Sequence, residues 1–569
     1  MDITNENFLS KLPEIRETIQ GCDFIAIDTE LSGLMRERML NRFDLPEERF
    51  SKALEYSRGY FIMQFGLSCF TKIDDLKYSS RTYNIYIFPQ PHKQYGDIDR
   101  TFSIQVHAIQ FLTEHNFDFN KLFRHGVSYL TFQESKSLTN QLKHEFKERG
   151  NVELNKDGVP KFVPSSMTTF CRDSIRSVKE FVSREELKKE CSRIHPPGKV
   201  YPGGRDGEGP TLDIRDCGTH NRRNTLKKAL ESLPIAEKIF VDTRRDPDSN
   251  ETYLTVEYID KETKEQRQRE ALVNAKGFLE VIETIILNKK PIVGHNLSLD
   301  LVQIINQFIE ELSDDYHSFK ELCHSFFPLI YDTKYIAHSF LDAKTVSQNQ
   351  SRLNDLYSQL KRGTICPNIV IEHLGAFFDE NQLPHQAGYD AYMSGYSFIS
   401  MCEAFLRKIG GGKSLKDFDV KDLSTIARQP DVVRKFANKI HLSFSYDFKF
   451  FDLSDDEPEP DRSHVFYVEF PGSWGLDDLF QLFSQLGGVE ASKLNKTSAL
   501  CALRDPKQKA ATMQKAKKLR ESCANHRIHT YESYVDMFKS RRKRGKKSNS
   551  DIGGDSDDDE VIVPDLGQS

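Results

Sequence analysis

Long apolar runs, paired cysteines and a leader-like N-terminus are all missing from this chain of 569 residues. Nowhere do about 18 apolar residues follow one another, the length at which a helix can cross a bilayer. The opening MDITNENFLSKLPEIRETI has no apolar run flanked by basic residues, so neither a membrane span nor a secretory signal is expected. The 10 Cys are scattered, with no C-x-x-C pair and no Cys/His cluster at zinc spacing. That argues against a disulfide framework or a structural zinc site and for reduced, intracellular thiols. Tryptophan occurs once, at Trp474. The net charge of −6 excludes nothing, because phosphate binding is carried by local basic patches that a global sum hides.

What is present is a generous supply of core-forming side chains, 38% apolar residues with 40 Phe among them. Single cores stop growing at roughly 250–300 residues, so about two to four domains are expected. The helical spacing of Phe8, Leu9, Leu12, Ile15 and Ile19 precedes a buried strand at Phe24 to Ile27. Strand patterns at 60–70 and 83–88 follow, which reads as the antiparallel side of a mixed sheet. From about residue 130 to 275 the composition turns to charge and turn formers, including HPPGKVYPGGRDGEGP, and reads as an insertion. The expected organisation is a core in two halves, 1–165 and 261–415, and an inserted small α/β module at 166–260. A linker at 416–463, a compact domain at 464–535 and a charged tail at 536–569 complete it.

Three constellations carry chemistry. Asp28-Thr29-Glu30 follows the strand FIAI; with period two, the acids share a face and can share a hard cation that takes oxygen ligands. Gly294-His295-Asn296 ends a strand and opens a helix with Asp300 in its first turn, where the helix dipole favours an acid. His385 stands on a glycine-containing loop five residues before Asp390, which the helix from about Gly388 turns inward. An imidazole so placed can serve as general base near neutral pH. Each motif alone is more often a capping pair, a turn residue or a solvent-facing loop, and the argument rests on their conjunction.

In this order, FIAIDTELSGL, QFGL, LPEERF, FDFNKLFRHG, VGHNLSLDL, YDTKYIA and HQAGYDAYMSG resemble the DEDDh exonucleases, and specifically the poly(A)-specific ribonuclease (PARN) family, over nearly the whole chain. The resemblance implies a ribonuclease H-like, mixed-sheet α/β core. In it Asp28, Glu30, Asp300 and Asp390 would hold two divalent ions, Mg²⁺ or Mn²⁺, with His385 as general base. It implies 3′-to-5′ hydrolysis of single-stranded RNA to 5′-nucleoside monophosphates, on poly(A) tails or on 3′ extensions of small RNA precursors such as those of piRNAs. It also implies 3′-end contacts from Leu31, Leu34, Ile109, Phe111 and Lys334, and a homodimer. Two positions depart from the family, which usually has Phe at Leu31 and Gly at Thr29.

The inserted segment resembles the family's single-strand-binding module, with a basic helix at Arg222, Arg223, Lys227 and Lys228 but without its R-x-x-x-H motif. Residues 464–535 resemble a ferredoxin-like RNA recognition motif domain, whose sheet stacks bases on aromatics. Phe466 and Tyr467 are the candidates, and Trp474 matches the position that stacks on a 5′ cap. The tail, RRKRGKK and then DDDE, reads as a solvated import or interaction segment, giving a cytoplasmic or nuclear location and no membrane partner. The rivals are a catalytically dead RNA-binding protein of the same fold and a DEDDh DNA exonuclease. The complete acid set weighs against the first and the RNA recognition domain against the second.

Overall fold

The computed structural model describes residues 1–537 except 36–38, 75, 91–99, 149–152, 162, 193–209, 216, 218, 247–250, 341–351, 364–368, 376–384, 410–430 and 522–525. The tail from Phe538 and nearly all of the Pro/Gly-rich stretch lie outside the described residues. The chain forms two compact units. One comprises Met1–Pro91, Asp97–Tyr129 and Phe278–Ser569; the other is Leu130–Gly277 with His92–Gly96.

The first unit is built on a nine-stranded sheet. Its central strand, Phe24–Leu31, starts with four fully buried residues, the mark of a strand covered on both faces. It pairs antiparallel with Ile62–Asp74 and parallel with Ile292–Gly294. Lys77–Tyr86 extends the antiparallel side, and Ile330–Asp332 and Lys439–His441 the parallel side. The sheet is therefore mixed.

The helix Ala387–Ile409 crosses the central strands. Its side chains enclose Phe24, which stacks on Phe70 at 4.9 Å and meets Phe398 edge-on at 5.4 Å. The sheet also caps this helix. The amide of Ala387 donates to Gln64 Oε1 at 3.0 Å and that of Gly388 to Asn84 Oδ1 at 3.1 Å, satisfying donors that a helix start leaves orphaned. Gly66 makes the approach possible, since a Cβ there would lie 1.9 Å from the Ala387 carbonyl oxygen. Gly66→Ala is expected to cost about 1–3 kcal/mol by overpacking and to lower activity by displacing the helix that carries Asp390. Urea denaturation would check it, and an unchanged midpoint would refute the tight contact.

The RNA-recognition-like part of this unit runs strand, helix, strand, strand, helix, strand, with sheet order Val489–Lys493, Ser498–Leu503, Val465–Glu469, Arg527–Thr530. Phe466, only 1% exposed, lies in its core. Tyr467 lies on the opposite sheet face, stacked at 4.8 Å under Tyr534 and clustered with Phe43. Neither is an open platform for bases. Alternation along the strand separates the two faces but does not tell that the segment after the last strand and the turn around Phe43 cover the outer one. Arg462 fastens this arrangement: its guanidinium donates to Asp447 at 2.7 and 3.0 Å, and to the Phe43 carbonyl at 2.6 Å.

The second unit packs the helices Ser165–Ser192 and His220–Glu231 against a three-stranded antiparallel sheet ordered Thr211–Ile214, Thr252–Tyr258, Ile239–Arg245. Its main span, Leu130–Gly277, follows the composition shift at about 130–275 and is wider than the 166–260 assigned to the small module, because the helices Phe132–Glu148 and Lys261–Lys276 belong to it. On its basic helix Arg222 lies over the Phe170 ring at 5.5 Å, and Arg223 donates to the Thr252 carbonyl.

Candidate active site

The central strand continues through Asp28 and Glu30, so the two acids point to one face, opposite Gly66 and Gln64 of the neighbouring strand. Asp390 enters from the first turn of the capped helix Ala387–Ile409 and is 9% exposed. Carboxylate oxygens of Asp28, Glu30 and Asp390 lie within 4.8 Å of one another. Asp300, in the first turn of Ser298–Ile304, stands beside them and accepts a short hydrogen bond from the Thr29 hydroxyl.

Burial and mutual repulsion shape the titration of this group. Burial pushes Asp28 and Glu30 well above the carboxylate range, and the charges of Asp390 and Asp300 push further the same way. Burial raises Asp390 to about 7, opposed by the backbone amide of His385. It raises Asp300 to about 6, opposed first by the Thr29 hydroxyl. Converging acids that resist ionisation need a cation to ionise together, and an all-oxygen donor set suits a hard divalent one. The residues present fit such an ion.

The turn bearing Asp300 is held from below. Asn296 adopts φ +66°, and the carboxylate of Asp332, fully buried, accepts from the amides of Asn296, Leu297, Lys334, Tyr335 and His441 at 2.9–3.4 Å. His295 is tied to the neighbouring strand end: its Nδ1 pairs with the Thr333 hydroxyl at 2.9 Å.

His385 sits at φ +73°, an uncommon conformation for a residue with a Cβ. Its ring packs against His115, with centroids 4.1 Å apart, and edge-on to Phe111 at 4.7 Å. Burial, and then the neighbouring His115, lower its pKa to about 4. The ring is thereby neutral at physiological pH and able to accept a proton.

The expected 3′-end contacts divide by location. Leu34, 49% exposed, and Lys334 line one cavity of about 1140 Å³. Ile109 and Phe111 lie half-buried in a separate apolar cluster, on the His385 side. Leu31 is only 6% exposed and offers a ligand little surface. Three residues of the site carry no role in the sequence reading. Thr29 registers there only as a departure from glycine, Asp332 as part of YDTKYIA, and His115 not at all.

A mixed α/β sheet that gathers four carboxylates at one end of its central strand, in one chain with an RNA-recognition fold, fits a nuclease acting on RNA. The chain belongs to the CAF1 ribonuclease family, whose model matches residues 3–398, and an RNA binding domain model matches residues 455–537. It is 30% identical to a poly(A)-specific ribonuclease of Xenopus laevis over 94% of this chain and 81% of the relative. It is 31% identical to that of Danio rerio over 98% and 81%. A pre-piRNA 3′-exonuclease trimmer of Bombyx mori is 28% identical over 94% of both chains. The protein is a 3′-to-5′ exoribonuclease.

Proposed function

We propose that the chain shortens single-stranded RNA from a 3′ hydroxyl end, with Asp28, Glu30, Asp300 and Asp390 holding two divalent cations, Mg²⁺ or Mn²⁺. The observation that carries this is the convergence of carboxylates, those of half-buried Asp28 and Glu30 and of buried Asp390 within 4.8 Å of one another, around space that a cation makes electrostatically favourable. Bound there, the cations supply Lewis-acid stabilisation of the phosphate oxygens and a more acidic water. Neutral His385 takes the proton of the attacking water. Thr29 and Asp332 fix the position of Asp300 from two sides, and Leu34 with Lys334 receives the terminal nucleotide. The product is a 5′-nucleoside monophosphate. Poly(A) tails and 3′ extensions of small RNA precursors are both substrates of this reading, since relatives named for each match along most of the chain. The test is 5′-labelled single-stranded RNA and DNA incubated with purified protein and Mg²⁺ or Mn²⁺. A ladder descending from the 3′ end of RNA is expected, and no ladder with either ion would overturn the reading.

We further infer a homodimer, supported by the family resemblance; sedimentation giving the mass of one chain, 65.7 kDa, at micromolar concentration would refute it. The same reading gives Trp474 a role in holding a 5′ cap. Its ring is half-buried, near-parallel to Phe470 at 6.2 Å and 5.1 Å from His526. A methylated, positively charged guanine stacks on an indole with about 0.5–2 kcal/mol of cation–π energy. Cap analogue is therefore expected to quench the emission of this sole Trp. Trp474→Ala should abolish cap binding and spare hydrolysis of uncapped RNA. Unaltered emission on titration would remove the cap from the substrate description.

A further inference from the structure

We propose that the cavity lined by Lys334, His338, Arg352, His441 and Lys449 is a subsite for the phosphodiester backbone of the RNA strand, 5′ of its terminal nucleotide. This rests on the ribonuclease reading above and adds to it where the rest of the strand runs. The cavity, about 1140 Å³, exceeds the roughly 300–1,000 Å³ of small-molecule sites, so it has room for more than one nucleotide. It shares Leu34 and Lys334 with the 3′-end contacts and includes Asn296 and Ser298 from the turn that carries Asp300. It thus borders the turn that carries Asp300.

Its charge is one-sided. Among the described residues no Asp or Glu lines it, whereas Arg42, Arg49, Lys334, Arg352 and Lys449 do. Arg42 is paired with Glu490 and Arg49 with Asp44. Neither Arg352 nor Lys449 has an ion-pair partner among the described residues. The imidazoles of His338 and His441 stack in parallel, 4.9 Å apart with 7° between planes. The charges acting on them are cations: Lys334 and Lys449 on His338, and Lys334, His338 and His295 on His441. The nearest acid by contact is Asp332, and its carboxylate is engaged by five amides, that of His441 among them. Lysines brought to a pair of stacked rings in a concave, acid-free surface form a place for an anion, and the substrate of this enzyme is a polyanion. Nothing in the chemistry of the acid cluster requires these residues.

A phosphate could also reach the site as free nucleoside monophosphate, the reaction product. The experiment separates the two sources. Rates are measured for the full-length protein and for Lys449→Glu and His338→Ala on a trinucleotide and a nonanucleotide of the same sequence. Inhibition by added 5′-AMP is measured in parallel. The intact enzyme is expected to have a higher kcat/KM on the nonanucleotide. Lys449→Glu should lose about tenfold on that substrate, the worth of one charge-assisted contact, with the trinucleotide rate unchanged within about twofold. The salt dependence on the longer strand should flatten by about one unit of log–log slope. The unchanged trinucleotide rate also shows that the variant is folded. Equal loss on both lengths, or no loss on either, overturns the proposal. So does weaker inhibition by 5′-AMP with the length advantage intact, which would assign the cavity to free nucleotide. An intact enzyme inactive on every RNA would instead refute the ribonuclease reading.

Discussion

Asp28→Ala and Asp300→Ala should each lower hydrolysis by about 10⁴-fold or more, as expected when a metal ligand of a two-ion site is removed, with no loss of folding stability. The reason lies in the titration of the metal-free site. Asp390 is raised to about 7 and Asp300 to about 6, in each case first by burial, against about 3.9 for an unfolded Asp. The folded protein therefore holds protons that the unfolded chain releases, and stability falls as pH rises between these values. The cost is absent below about pH 4, grows through pH 6–7 and is complete above the folded pKa values. The melting temperature of metal-free protein should thus decline from pH 5 to pH 8. Added Mg²⁺ should recover it at the upper end, because a ligand that binds only the folded state stabilises it. Asp390→Asn should flatten the decline and diminish the recovery. Thermal scans with chelator and with Mg²⁺ decide this. A profile independent of pH, or a variant that keeps its rate, would remove these carboxylates from the metal site.

The parts of the site that could be read from sequence are those set by local pattern. The apolar run Phe24–Ile27 announces a buried strand, and period two then aligns Asp28 with Glu30. The spacing from His385 to Asp390 places one on a loop and the other in a helix's first turn, as the helix start at Ala387 bears out. Contacts made across long separations were not legible. The five amides gathered by Asp332 come from three stretches of chain. The His115–His385 contact spans 270 positions and depends on how the helix Val106–Glu114 packs. Thr29 acquires its meaning only when the helix of Asp300 arrives within reach of its hydroxyl. Tyr467 fails for the same reason, since an alternating strand does not say which element will cover its outer face.

His385→Ala should slow turnover on the order of 10²- to 10⁴-fold, the usual contribution of a general base, while Mg²⁺ still raises the melting temperature as in the intact protein. The geometry gives a reason for that split. The contact of His385 with the acid cluster runs through its backbone amide, which meets Asp390 and survives any side-chain change. The ring instead lies against Phe111 and His115. Because φ is +73° at this position, an Ala there keeps the backbone strain. His385→Asn is the companion variant, since Asn tolerates the left-handed region better. If the imidazole is the base, both variants are slow, and both lose the dependence of rate on a group that must be deprotonated. If Asn restores the rate, the ring serves only to hold the loop, and the base lies elsewhere. If Mg²⁺ no longer stabilises either variant, His385 is a metal ligand, and the proton of the attacking water must leave by a route that none of the residues described above provides.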